Sequence, residues 1–499
     1  MNLLTDDFIS TTAGKISLKE LLTSEIDYQL QYAFDEIQLA MLQLLSSLTT
    51  VVLKPNLEEL KDLLIQGLTK EQYDQALKKV DTQWFDETCF MRSKPPKGRK
   101  TFSAPVLKLV SGIESSSTKD ASGLFSETNY VETICTDCTH VLNYNLHMNI
   151  KAGCFGASGS TGIRGGGTIS TLVAGKNLKT TILANTIAVD FFNNEREIKE
   201  PNNKLMWQDP IHGEIYYAHH IGLERGLFAL AYHTNFSVLE EKCICDVCGH
   251  SSIKTVINFQ RSSYDGDYGS TEKGREGNAQ WWNHPYTPTI LTEKGIFPVC
   301  LRNQQWQSWQ DFSAYIIGKE TNSGSIRPAF IIRQYAKICG NANILVGGNV
   351  TDSKKQATIT GRIYDLYSMP EHWDNKKLKR VTNVIDSGLK VKEVLSKALN
   401  KIFATNYAKS TSGKIFISGI KNDAMNQYIS NAQNIVQQLL LDVDRKEARI
   451  LRKEALEQLK TEATTIYRTL MRKYQSDLPL FKALAKGERI LMSVNRVKN

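Results

Sequence analysis

No apolar run in this 499-residue chain reaches the length of a membrane span. The most apolar stretch, around Leu39 to Leu53, is broken by Gln43, Ser46, Ser47 and threonines and has helical periodicity. The opening MNLLTDDFI carries two acids and no basic residue, so it lacks the n-region of a secretory signal. Nine cysteines, an odd number without such a signal, place the chain in a reducing compartment. These absences point to a soluble, cytoplasmic protein with no membrane partner. No internal repeat or low-complexity tail is present. The P-loop is missing: Gly175-Lys176 is followed by Asn177, and Ser170 stands where the first glycine belongs. The His-x-Glu and Pro-Cys-x-x-Cys pattern of nucleobase deaminases is absent. No nucleophile–base pair or carboxylate cluster stands out, and His212, His219, His220 and His284 read as structural or exposed. Little is left on which to assign a catalytic centre.

What is present begins with the stretch Gly153 to Thr168, GCFGASGSTGIRGGGT, in which seven of sixteen residues are glycine. Glycine lets a backbone approach another molecule closely, but ordering it costs entropy, so a glycine-rich loop in a globular chain needs a reason. Rossmann spacing is not met within it. A backbone laid against a nucleic-acid groove, with Arg164 assisting, is the sharper reading; a solvated linker is the bland one.

Two Cys-x-x-Cys pairs flank the stretch. Cys135 and Cys138 precede it; Cys245 and Cys248 follow it. Four thiolates suit one tetrahedral zinc, and four sulfurs leave no open position for a catalytic water. The 106 residues between the pairs mean that only the fold could bring them together. Buried thiols that never meet are the alternative. Cys243 competes with Cys245 as a ligand, and His140 and His250 stand two residues beyond a cysteine of each pair.

Along the chain, residues 1–80 read as mostly helical after a short first strand, with cap signals at Ser17, Asn56 and Thr69. Residues 93–100, SKPPKGRK, form a basic Pro/Gly loop, either solvated or touching phosphate. Residues 101–165 show little helical pattern and are expected to be irregular. Residues 168–190 predict a strand or two and then a helix, and 203–300 are aromatic and turn-rich. Ala329 to Tyr335 alternates as a strand would, and two further strands, at 344–348 and 357–363, enclose a polar tip. Beyond about Asp374 helical periodicity takes over. Ten Lys/Arg against two Asp/Glu between Lys376 and Lys414 favour an acidic partner there. Lys390, Lys397 and Lys401 fall on one expected helix face and are candidates for DNA-backbone contact; a solvated face is the alternative. The expected architecture is an α+β large N-terminal domain of mixed, loop-rich architecture (1–374), then an all-α four-helix bundle (375–499).

The sequence resembles the large subunit of the type I-E CRISPR Cascade surveillance complex, the CasA family. The likeness lies in MNLLTDDFI, the pair at Cys135, Gly162-Ile-Arg-Gly-Gly, Thr180 to Asn185, Glu224 to Phe228, the pair at Cys245, the segment Trp282 to Pro288 and the terminal helices. It implies a non-catalytic subunit that reads the PAM, the short tag beside the target, in the minor groove of double-stranded DNA. It further implies help in opening the duplex and forming the R-loop, and recruitment of a helicase–nuclease. Carried onto this sequence, Phe155, Gly156 and Ala157 form the PAM loop, with Ala157 where the family prefers glycine. Lys355 and Gln356 form a wedge, Lys273 is a minor-groove lysine, and Phe125 docks on the crRNA 5′ handle and its bound subunit. Implied partners are crRNA, the handle-binding, small and backbone subunits, target DNA and the helicase–nuclease. A zinc-dependent nucleic-acid-processing enzyme and a purely structural scaffold are the rival readings.

Overall fold

A β-hairpin opens the chain, with β1 (Ile9–Thr11) antiparallel to β2 (Gly14–Ile16) and Gly14 at φ +114° in the turn. The computed structural model describes residues 1–110, 131–149, 162–164, 168–195, 201–264, 266–269, 279–280, 282–299, 309–310, 318–321, 324–339, 343–351, 358–368, 375–443 and 445–492. Four helices follow the hairpin: α1 (Leu18–Thr23), α2 (Asp35–Leu53), α3 (Leu57–Gln66) and α4 (Lys70–Leu77). Side-chain caps set three of their starts. The Glu20 N–H donates to Ser17, and Asn56/Glu59 and Thr69/Gln72 form reciprocal capping boxes. Each cap stabilises its helix by about 1 kcal/mol. By length and composition α2 could cross a membrane, contrary to the sequence expectation, yet 83% of its apolar window is buried inside the protein.

Next come β3 (Phe102–Pro105), β4 (Ile134–Cys135), α5 (Thr136–Met148), β5 (Ile169–Ala174), α6 (Leu178–Ala184) and α7 (Val189–Glu195). Helix α5 corrects the expectation that 101–165 is irregular. It packs on α2 and is buried at every residue from Cys138 to Met148, so no polar stripe marks it in the sequence. Its polar groups find partners inside. Asn143 donates to the Met91 carbonyl at 2.9 Å and accepts from Thr234 at 2.9 Å, while His147 Nδ1 accepts from the Ala231 N–H at 3.0 Å. Asn185, just after α6, acts as a side-chain substitute for a paired strand: it accepts from Val173 N–H at 2.8 Å and donates to its carbonyl at 2.6 Å.

The aromatic, turn-rich region contains β6 (Ile215–Tyr217), α8 (Leu223–Leu227), β7 (Tyr232–Leu239), β8 (Cys243–Ile244), β9 (Ser251–Ser252) and β10 (Thr255–Ser263). It continues through β11 (Asp267–Gly269), β12 (Ala279–Gln280), β13 (Thr289–Thr292), β14 (Gly295–Pro298), β15 (Lys319–Thr321) and β16 (Gly324–Arg327). Two of the sequence segments noted above meet here. A Cβ at Gly226 would lie 2.0 Å from the Trp282 ring, and Trp282 Nε1 donates to the Ile221 carbonyl at 3.0 Å. Only glycine allows that indole to lie against α8.

Residues Phe330–Ile338 form helix α9, not the expected strand. A short apolar run is ambiguous between the two, and here Phe330, Ile331, Ile332 and Gln334 are buried together beside β5. Strands β17 (Asn343–Thr351) and β18 (Thr358–Ser368) complete a three-stranded sheet in the order β18-β17-β5. A second sheet has β10 between β3 and β7 with β4 beside it, and a third runs β12-β14-β13-β16-β15.

Contacts divide the chain into two compact units, Met1–Gln305 with Gly318–Leu366, and Trp306–Ile317 with Tyr367–Asn499. The second unit is helical: α10 (Asn375–Leu399), α11 (Thr411–Leu441), α12 (Ala448–Lys473) and α13 (Leu478–Met492). Their apolar stripes, among them Val391, Leu395, Tyr428, Ala432, Leu459 and Tyr467, are buried against one another. Trp309, distant in sequence, is also fully buried in this unit. Its indole donates to the Ile429 carbonyl at 2.9 Å, and a Cβ at Gly388 would strike its ring at 2.5 Å.

Candidate metal centre and the base of the glycine-rich stretch

Strand β4 delivers Cys135 to the N-cap of α5, and the first turn of α5 presents Cys138. The second pair sits in a knuckle whose turn is closed by Gly249 (φ +74°), its N–H donating to the Cys245 carbonyl at 2.7 Å. Asp246 ties the knuckles together. Its carboxylate accepts from the N–H groups of Glu132 and Thr133, both at 2.8 Å, and its own N–H donates to the Thr133 carbonyl at 3.0 Å. Gln31 holds the far side by donating to the Cys248 carbonyl at 3.0 Å.

The result gathers Cys135, Cys138, Cys245 and Cys248, all buried, with every sulfur within 4.8 Å of the others. Cys135 and Cys248 sulfurs stand 3.8 Å apart, and the edge of a tetrahedral zinc–thiolate site is about 3.8 Å for Zn–S near 2.3 Å. The donor set therefore fits a closed structural ion and leaves no position for water. The four thiols are tightly coupled: the Cys135 sulfur acts first on each of the others, raising Cys138 and lowering Cys245 and Cys248. Four sulfurs at this spacing hold negative charge readily only around a cation. Lys15 pairs with Asp137 beside the cluster.

The open alternatives fall into place geometrically. Cys243 lies on the β8–β9 hairpin and points to the Lys254 carbonyl at 3.9 Å, outside the cluster. His140 is buried edge-on against Phe90 and is not in the sulfur group, nor is His250.

At the other end of α5 lies the base of the glycine-rich stretch. Gly162 adopts φ +60°, and a Cβ there would sit 3.1 Å from the His147 carbonyl and 3.2 Å from Ala231. Arg164 is only 3% exposed, so it does not face outward as its sequence setting suggested. Its guanidinium donates to the Met148 carbonyl (3.3 Å) and Asn149 Oδ1 before the stretch, and to Ser170 Oγ (2.8 Å) after it. It also reaches Thr287 Oγ1 at 2.7 Å. One buried cation thus holds both ends of residues 150–168. Gln43 of α2 joins this hub, donating to Ser170 and accepting from Asn149. These roles were missed in the sequence; the one signal was the apolar Ile163 beside Arg164.

Strand β5 leaves the hub paired antiparallel with β17, Ile169 opposite Gly348. The start of β5 and the end of β17 therefore lie at one end of the sheet. The glycine-rich stretch enters there, and the 352–357 connection departs there. Trp282 to Pro288 is adjacent, with the Thr171 N–H donating to the Tyr286 carbonyl at 2.8 Å. Phe125, Phe155, Gly156, Ala157, Lys273, Lys355 and Gln356 lie outside the described residues. In the helical unit, Lys390 is half-buried, and Lys397 is exposed and paired with Glu393. Lys401 does not share their helix, because α10 ends at Leu399 and Lys401 sits in the following 3₁₀ turn, Asn400–Ala404.

The family model described as CRISPR-associated protein Cse1 matches residues 2–466. The chain belongs to the Cse1 family. Solved Cse1 structures share its fold across nearly the whole length. Cse1 from Thermobifida fusca is 14% identical with a TM-score of 0.70, and 99% of this chain and 98% of that one are covered. CasA (Cse1) from Thermus thermophilus is 14% identical with a TM-score of 0.68, covering 99% and 98%. A chain of a structure titled CRISPR RNA-guided surveillance complex, 13% identical, gives a TM-score of 0.61 with 99% of each covered. The mixed α/β region and the helical C-terminal region match those of the Cse1 structures.

Proposed function

We propose that this Cse1-family chain is the non-catalytic large subunit of an RNA-guided DNA surveillance complex of the Cascade type. It reads the PAM in the minor groove, promotes duplex opening and R-loop formation, and recruits a helicase–nuclease. The observation that supports this reading is the antiparallel pairing of β5 with β17, Ile169 opposite Gly348. The stretch holding Phe155, Gly156 and Ala157 enters β5 where the connection holding Lys355 and Gln356 leaves β17. A glycine-rich backbone suits a groove that offers little base information, and a lysine–glutamine pair between β17 and β18 suits a wedge beneath the PAM. Lys273, nine residues before Trp282, supplies a minor-groove cation. Phe125 docks on the crRNA handle and its subunit. Lys390 and Lys397 track DNA phosphates, Lys401 contributing from its turn. Zinc in the four-cysteine cluster acts structurally, fixing the N-terminal end of α5.

The test is a binding titration of the reconstituted complex against duplexes differing only in the PAM. The wild-type complex should discriminate, and Lys273→Ala, Lys355→Ala and Gln356→Ala together should abolish most of that discrimination while the complex still assembles. Unchanged discrimination would remove these residues from the site. Metal-dependent turnover of nucleic acid by the purified chain alone would replace this reading with an enzymatic one.

A further inference from the structure

The basic loop before β3 has a defined form. The Arg99 N–H donates to the Pro96 carbonyl at 3.1 Å, and Gly98 has φ +84°. With Lys97 and Gly98 in the middle positions, this is a type II turn, which glycine favours at its third residue. Pro95 and Pro96 stiffen the entry, because each fixes its own φ. Arg99 ties the exit to the end of β10 by donating to the Tyr264 carbonyl at 3.4 Å. Lys94, Lys97, Arg99 and Lys100 are all exposed on this short segment, and no ion pair among the described residues neutralises them. A flexible solvated run would lose entropy on binding; a turn fixed in this way loses less.

The neighbouring ring points to the partner. Phe102, 41% exposed, lies opposite Arg261 across β3 and β10. Lys100 Nζ stands over its ring at 5.0 Å and the Arg261 guanidinium at 5.8 Å. Both cations lie within cation–π reach of the ring and set positive charge beside it. The aromatic ring also positions Lys100 without neutralising it, as a carboxylate would.

We propose that the Pro96–Arg99 turn, with Lys94, Lys97 and Lys100, is a contact site for the phosphate backbone of duplex DNA. It precedes β3, whose sheet does not include β5. This rests on the DNA-reading function proposed above and extends it. The site adds affinity without sequence preference, since three lysines meeting phosphates carry no base information.

The experiment uses the complete complex with Lys94→Gln, Lys97→Gln and Lys100→Gln combined, leaving Arg99 in place. Binding to PAM-containing and PAM-scrambled duplex is followed across a salt titration. The slope of log affinity against log salt should become shallower by about 0.9 for each lysine on a phosphate. Affinity for both duplexes should fall by the same factor. Gly98→Ala, which keeps every charge but strains the turn, should give a smaller loss in the same direction. An unchanged salt slope overturns the site. So does a normal duplex slope with weakened retention of guide RNA, which would assign the turn to RNA. If the wild-type complex fails to distinguish the two duplexes, PAM reading is lost, while a changed slope still supports the turn.

Discussion

The two ends of α5 hold the chain by opposite chemistry. At the N-terminal end, Cys135 and Cys138 join two distant cysteines in a buried sulfur cluster. At the C-terminal end, a buried guanidinium gathers the Met148 carbonyl, Asn149 and the residues that begin β5. Both placements suit the helix dipole, with metal-ligand sulfurs at the positive end and a cation at the negative end. They differ in what can remove them. The sulfur end has the donor set for a dissociable ion, whereas the arginine end is built from covalently fixed neighbours. The difference suggests a division of labour, with a closed staple at one end and a rigid base for the glycine-rich stretch at the other.

Metal removal should have the largest effect. The purified chain should carry about one zinc, the stoichiometry of one four-sulfur site. Cys248→Ser or a strong chelator should release it and lower the melting temperature sharply, because binding energy at such a site is folding energy. Full thermal stability at zero metal content would show that the thiols hold the fold unaided.

Arg164→Met tests the opposite end. It leaves Asn149, Ser170 and Thr287 without their shared donor, so denaturant unfolding should show a loss of about 1–3 kcal/mol for each buried acceptor left unsatisfied. Zinc content should stay unchanged, since the sulfur cluster lies at the far end of the helix. Loss of zinc in this variant would mean that the two ends act as one unit.

The smallest of these effects concerns protons. Burial pushes the His147 imidazole from its ordinary 6.5 down to about 3, His233 adding to the shift and a hydrogen bond involving Met91 opposing it. The folded state binds this proton less tightly than the unfolded chain. Its contribution is therefore fully present above pH 6.5 and is lost as the pH falls toward 3. At pH 5 the loss is about 2 kcal/mol. His147→Gln, whose amide oxygen can still accept from Ala231, should flatten the pH dependence of unfolding between those limits. An unaltered slope would place the acid sensitivity elsewhere.

Much of this was legible from residue order. The caps at Ser17, Asn56 and Thr69, the strand before α6 and the helical stripes after Asp374 follow local rules, and local rules survive in a sequence. Helix α5 was not legible because it is buried on all sides and has no amphipathic period. Helix α9 was not, because four apolar residues in a row fit a strand equally well. Arg164 reads as an outward cation because nothing local reveals that Asn149, Ser170 and Thr287 converge on it.

The sequence by itself determined the inventory: two cysteine pairs with metal-ligand spacing, a glycine-rich stretch with no nucleotide motif, a basic Pro/Gly loop and four apolar helical stripes. These depend on residue type and spacing alone. Only the tertiary structure decided that the cysteine pairs meet across more than a hundred residues, with Cys245 and not Cys243. It also decided that Arg164 is buried, that Trp309 packs among the C-terminal helices, and that β5 pairs antiparallel with β17. Each of these is a contact between residues far apart in the chain. Such contacts are set by which surfaces can be buried together, and no local pattern carries that information.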